Sequence, residues 1–179
     1  MDPVQERNDL LALLTRVVDT LGQSLDARLV PPGGAQIGYA LRGARDMNGV
    51  AAVDGRINIA DGKPGSGRCA FGCDEEIARI LLTVTRFDPL RRSAALIRYS
   101  DRALRVLEDD LFLECASYDP EKAPRGISTM DWSVASCCRE EVPDVIFPRG
   151  TSVRDGKILI LGEDPNDVAN NIIICSNRI

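Results

Sequence analysis

Between Gly65 and Arg79 the chain reads GSGRCAFGCDEEIAR: three glycines, two cysteines and an acidic triplet at the approach to a helix. Two chemistries suit such a stretch. Cys69 and Cys73, separated by three residues, could start a zinc clip, and a glycine-rich loop entering a helix turns unpaired N–H groups toward a phosphate. Each has a plainer alternative. Cys115, Cys137, Cys138 and Cys175 supply no second knuckle spacing, so packed thiols and no structural metal are expected. Asp74, Glu75 and Glu76 put carboxylates where an anion would sit, and capping of the helix by Asp74 explains them better.

The chain has no histidine in 179 residues, which removes Ser-His-Asp and Cys-His nucleophiles, histidine metal sites and the usual base that titrates near neutrality. Chemistry must run on carboxylates, arginines, cysteines, hydroxyls or a bound metal. Arg42, Arg45 and Arg56 follow the early glycines, Arg68 lies in the loop and Arg98 ends a strand-like run; paired arginines grip phosphate oxygens. A second glycine-rich loop, PRGTSVRDGK, carries Gly150 and Lys157. The net charge is −5 with no basic run, so a small anion is a better expected partner than nucleic acid. No apolar run nears the roughly 20 residues of a bilayer span, and the N-terminus lacks the layout of a signal peptide. The expected setting is the cytoplasm, with reduced thiols and no membrane partner.

The elements that must hold these residues follow from periodicity. Leu10, Leu14, Val17, Val18, Leu21 and Leu25 predict an amphipathic helix over residues 3–28, packed on the domain and ended by the PPGG stretch at Pro31. QIGYAL and VAAVDGRINIA predict strands, the second folded on itself at Asp54-Gly55, and residues 62–67 predict a loop. A helix runs from Asp74 to Phe87. SAALIRY, LFLECASY, DVIF and KILIL predict strands alternating with helices at DRALRVLEDD, at residues 131–141 and after EDPNDV. That order describes a layered α/β domain with a mixed sheet.

Taken in succession, PPGGAQIGYAL, GVAAVDGRI, CAFGCDEEIARILL, DPLRRSAALIRY, STMDWSV, VPDVIFPRG and ILGEDPNDV resemble the archaeal ThiN-type thiamine-phosphate synthase domain over residues 10–175. The resemblance implies the fold shared with class II aldolases, a three-layer α/β/α sandwich around a mixed, largely antiparallel sheet. It divides the chain into an N-terminal helix, residues 1–30, and a ThiN-like domain, residues 31–179. The implied reaction joins hydroxymethylpyrimidine diphosphate to thiazole phosphate, with Mg²⁺ as an expected companion of the diphosphate. It also leaves room for a homodimer. Arg56 in DGRI matches a family site arginine, and Glu76 stands near the position of a family histidine; these are the catalytic candidates. Gly34, Gln36, Gly72, Arg98, Gly150 and Lys157 are the expected ligand and phosphate contacts. Family asparagines expected near Gln36 and Leu96 are absent. Three functions remain open at this point: a thiamine-phosphate-binding domain with weakened synthesis, an active synthase, and a scaffold turned to another ligand or protein.

Overall fold

The computed structural model describes residues 2–150 and 156–179. Asp2 accepts a hydrogen bond from the Val4 N–H at 3.1 Å and Pro3 opens the first helix, α1 (Pro3–Ser24). It stops short of the expected residue 28. Asp26 accepts from the Arg28 N–H at 2.8 Å and starts a separate 3-10 turn, Ala27–Leu29, an alternative bond for the backbone that ends α1.

In chain order there follow β1 (Gln36–Ala40), β2 (Val50–Val53), β3 (Ile57–Ala60), β4 (Lys63–Ser66), β5 (Cys69–Phe71), α2 (Glu75–Phe87), β6 (Ser93–Arg98), α3 (Asp101–Arg105), β7 (Cys115–Tyr118), α4 (Thr129–Cys137), β8 (Val145–Pro148), β9 (Lys157–Gly162) and α5 (Pro165–Arg178). One sheet runs β5-β2-β1-β6-β9-β8-β7, antiparallel at every joint except β7 with β8. A parallel pair needs a crossover, and α4 lies within this one. Helix α4 is capped by Ser128 and ends at Cys137, shorter than the expected 131–141 at its C-terminus.

Side chains alternate across the sheet, so register decides which residues meet which helices. Gly38, Leu96 and Leu159 face α2 and α4, whereas Ile37, Ala95, Ile97, Ile158 and Ile160 face α1 and α5. The outcome is the α/β/α sandwich with a mixed, largely antiparallel sheet. Helix α2 rides close to β1 at Gly38, where a Cβ would lie 2.9 Å from Ile77 Cγ1. Leu14 and Leu21 of α1 and Ile77 and Leu81 of α2 are fully buried, each contributing about 1.5–3 kcal/mol relative to exposure.

Two turn assignments change. VAAVDGRINIA does not fold on itself: β2 pairs with β1 and β5, while β3 pairs with β4 in a separate two-stranded ribbon. The Arg56 N–H reaches the Val53 carbonyl at 3.1 Å, and of the two central residues only Gly55 has positive φ, 77°. A hairpin of type I′ needs positive φ at both, so the strands flanking Asp54-Gly55 splay apart. Asp61 and Gly62 both have positive φ, 53° and 76°, and they make the tight hairpin. Hence residues 63–66, expected as loop, form β4.

Candidate functional site

Gln36 begins β1, Arg56 follows the turn after β2, Asp74 and Glu76 open α2, and Lys157 begins β9. The fold brings these five residues together at one end of the sheet, on the α2 side. Asp74 is the centre. Its carboxylate accepts from Arg56 Nε at 2.8 Å and Nη2 at 3.2 Å, from Gln36 Nε2 at 2.8 Å and from the Ile77 N–H at 3.1 Å. Burial pushes the Asp74 carboxyl up, but Gln36, the Ile77 N–H and Arg56 outweigh it and hold the group below the usual carboxylate range. Burial likewise pulls Arg56 down, and its bonds to Asp74 and Glu76 more than compensate, so it stays charged.

Arg56 has φ 64°, a left-handed conformation costing a side-chain-bearing residue about 1–2 kcal/mol. Gly34 permits it. A Cβ on Gly34 would lie 2.8 Å from the Arg56 Cβ, and Gly34 itself has φ 97°. The neighbouring Ala35 and Ile57 exchange two backbone hydrogen bonds of 2.8 Å, which pin the two segments together. Arg56 therefore presents its guanidinium from a fixed backbone, gripped on one edge by Asp74.

The other edge meets Glu76. Its Oε1 accepts from Arg56 Nη2 at 3.0 Å and from Lys157 Nζ at 3.1 Å, so one carboxylate oxygen lies between two cations. Asp74 is 7% exposed and Glu76 34%: the first is scaffold, the second faces solvent. Arg98 is paired in register with Lys157, so both side chains leave the sheet on the α2 face, and Arg98 is exposed.

The remaining expected contacts are placed differently. The Gln36 amide donates to the Val53 carbonyl and Asp74 and accepts from the Ile37 and Val53 N–H groups, which uses its full capacity. It supports Asp74. Gly72, φ 71°, lies against Asn48 and donates its N–H to the Val50 carbonyl, serving the turn from β5 into α2. Gly150 follows β8, which lies between β9 and β7; the rest of the PRGTSVRDGK loop up to Gly156, residues 151–155, lies outside the described residues. Among the described residues no cluster of three cysteine or acidic side chains could hold a metal, and Cys73 Sγ points at the Ala52 and Ala70 carbonyls.

Sequence reasoning read Asp74 as a helix cap alone. The signal it lacked is long-range: the Asp74 side chain caps α2 and holds Arg56 at once, across 18 positions of chain. A cavity of about 600 Å³ lies elsewhere, beside β7, where Glu114, Glu140 and Glu141 outnumber the one lining cation, Arg139.

The sequence profile of the Thiamine-phosphate synthase ThiN family matches residues 13–174, and the chain belongs to that family. It is 31% identical over 154 residues to the bifunctional thiamine biosynthesis protein ThiDN of Methanocaldococcus jannaschii, covering 84% of this chain and 36% of that protein. The chain thus spans about a third of that relative. It is 30% identical over 128 residues to the thiamine-phosphate synthase ThiN of Methanothermobacter thermautotrophicus, 67% of each. The crystal structure of a C-terminal domain of phosphomethylpyrimidine kinase superposes with TM-score 0.85 at 28% identity, covering 95% of this chain and all of that one (100%). The l-fuculose-1-phosphate aldolase of Thermus thermophilus shares the fold alone, with TM-score 0.54 and 13% identity over 94% of this chain and 90% of that one.

Proposed function

We propose that this chain binds thiamine phosphate, or its phosphorylated pyrimidine or thiazole precursors, at the Arg56, Lys157 and Arg98 end of the sheet, with synthase turnover weakened or lost. The observation that carries this is the Glu76 carboxylate between Arg56 and Lys157. Departure of a diphosphate builds negative charge on the leaving oxygens, and stabilising it requires cations aimed at them. Here two such cations converge on one point, which supports phosphate recognition. Each is also partly neutralised by a carboxylate of the protein, which works against charge stabilisation in a transition state.

Within this reading Arg56 is the principal phosphate contact, positioned by Asp74 and Gly34. Lys157 and Arg98 add charge from the adjoining strands. Asp74 is engaged by Arg56, Gln36 and the Ile77 N–H, and Glu76 by two cations, so in this reading neither carboxylate is given a metal-binding role. Mg²⁺ enters only as the companion of a diphosphate ligand, and no step is assigned to it.

The family relationship also favours a second reading, an active synthase. Incubation of the protein with hydroxymethylpyrimidine diphosphate, thiazole phosphate and Mg²⁺, alongside calorimetric titration of thiamine phosphate, separates the two. Saturable binding with little or no product supports the proposal; product formed over many turnovers supports the synthase. Absence of both binding and product rejects both in favour of a repurposed scaffold.

A further inference from the structure

Two carboxylates touch Arg56, and they differ in how firmly they are held. Asp74 has donors on both oxygens, is almost fully buried and caps a helix; removing it dismantles the cluster. Glu76 is a third exposed, and the hydrogen bonds it accepts fall on Oε1. That oxygen sits 3.0 Å from a guanidinium nitrogen and 3.1 Å from an ammonium, the geometry an oxygen of a bound phosphoryl group would adopt.

We infer that Glu76 is an internal occupant of the anion subsite: a phosphorylated ligand binds by displacing the Glu76 carboxylate from Arg56 and Lys157. This rests on the reading that those two cations face the ligand. The side chain needs no burial to leave, since it already borders solvent. Its release frees two positive groups at once, while Asp74 keeps Arg56 aimed. Glu76 is thereby a specificity-determining residue. A ligand must attract the pair more strongly than a carboxylate does, so polyanionic phosphoryl groups enter and monoanions are turned away.

The test titrates inorganic pyrophosphate at fixed ionic strength into the wild-type chain and into Glu76→Gln, Glu76→Ala, Glu75→Gln, Lys157→Met and Glu76→Gln/Lys157→Met variants, with melting temperatures as the check on folding. Glu75 is the control because it lies on the same helix end and pairs with Arg79 at 2.7 Å, away from the cluster. The inference predicts that both Glu76 variants bind pyrophosphate about tenfold tighter or more. Glu75→Gln stays within about twofold of wild type, and the added Lys157→Met change cancels most of the gain. Equal affinity in wild type and both Glu76 variants, or the same gain in Glu75→Gln, overturns the inference. If that equal affinity is lost in a Lys157→Met single variant, the anion site stands and only displacement falls. If no variant binds pyrophosphate and wild type ignores thiamine phosphate, the underlying reading falls with it.

Discussion

Asp74 grips Arg56 at two points, Oδ2 to Nε at 2.8 Å and Oδ1 to Nη2 at 3.2 Å, while it caps α2 through the Ile77 N–H. One side chain thus joins the start of a helix to the strained turn after β2. Since both functions act through a largely buried carboxylate, Asp74 couples stability to site geometry.

Asp74→Asn is expected to destabilise the fold by about 2–3 kcal/mol at pH 7, since it leaves a half-buried guanidinium short of its counter-charge. The sign of the pH dependence follows from the depressed carboxyl of Asp74. Its contribution is fully present above the unfolded value of about 3.9 and is lost as pH falls through the lower folded value. Urea denaturation from pH 7 to pH 2.5 should show the wild-type advantage over Asp74→Asn shrinking below about pH 4. A gap unchanged across that range would contradict the role given to the carboxylate.

Gly33 and Gly34 separate backbone cost from crowding. Both have positive φ, 87° and 97°, but a Cβ on Gly33 meets nothing within 4 Å whereas one on Gly34 meets Arg56. Gly33→Ala should cost about 1–2 kcal/mol and leave thiamine phosphate binding as in wild type. Gly34→Ala should cost more and also weaken binding, because Arg56 must move. Equal effects of the two on binding would mean that Gly34 does not position the arginine.

The six cysteines are free thiols. Burial, followed by nearby acidic groups, pushes Cys115 up to about 12; burial pushes Cys175 up to about 12 and Cys138 up to about 11. At pH 8 Cys115 and Cys175 are then held as thiols. Iodoacetamide at pH 8 should leave Cys138 and Cys175 unmodified by mass spectrometry until the protein is unfolded. Rapid labelling of either in the native state would show that its surroundings are open.

The sequence disclosed the layers, because they depend on signals local in the chain, whereas the candidate site residues followed from the resemblance to the ThiN domain. Helical spacing located α1, α2 and α5, and Arg56, Glu76, Gln36, Lys157 and Gly34 meet in space. What escaped depends on backbone sign and on distant pairing. Asp54-Gly55 and Asp61-Gly62 are the same dipeptide, yet only the second takes positive φ at both residues and closes a hairpin. Pro64, a residue without a backbone N–H to pair, masked β4, which forms only a two-stranded ribbon with β3. Three-residue β5 is too short to show a period. Asp74 looked like any cap because Arg56 lies across a turn whose direction the sequence does not encode locally.

The central claim is that Arg56 is the phosphate contact of a thiamine-phosphate-binding site. Calorimetric titration of thiamine phosphate into wild type and Arg56→Gln tests it most directly. The account predicts saturable binding near one ligand per chain in wild type and at least about tenfold weaker binding in the variant, in line with loss of a charge-assisted contact. Binding unchanged by Arg56→Gln in a variant that remains folded, or no binding by the wild-type chain, would contradict it.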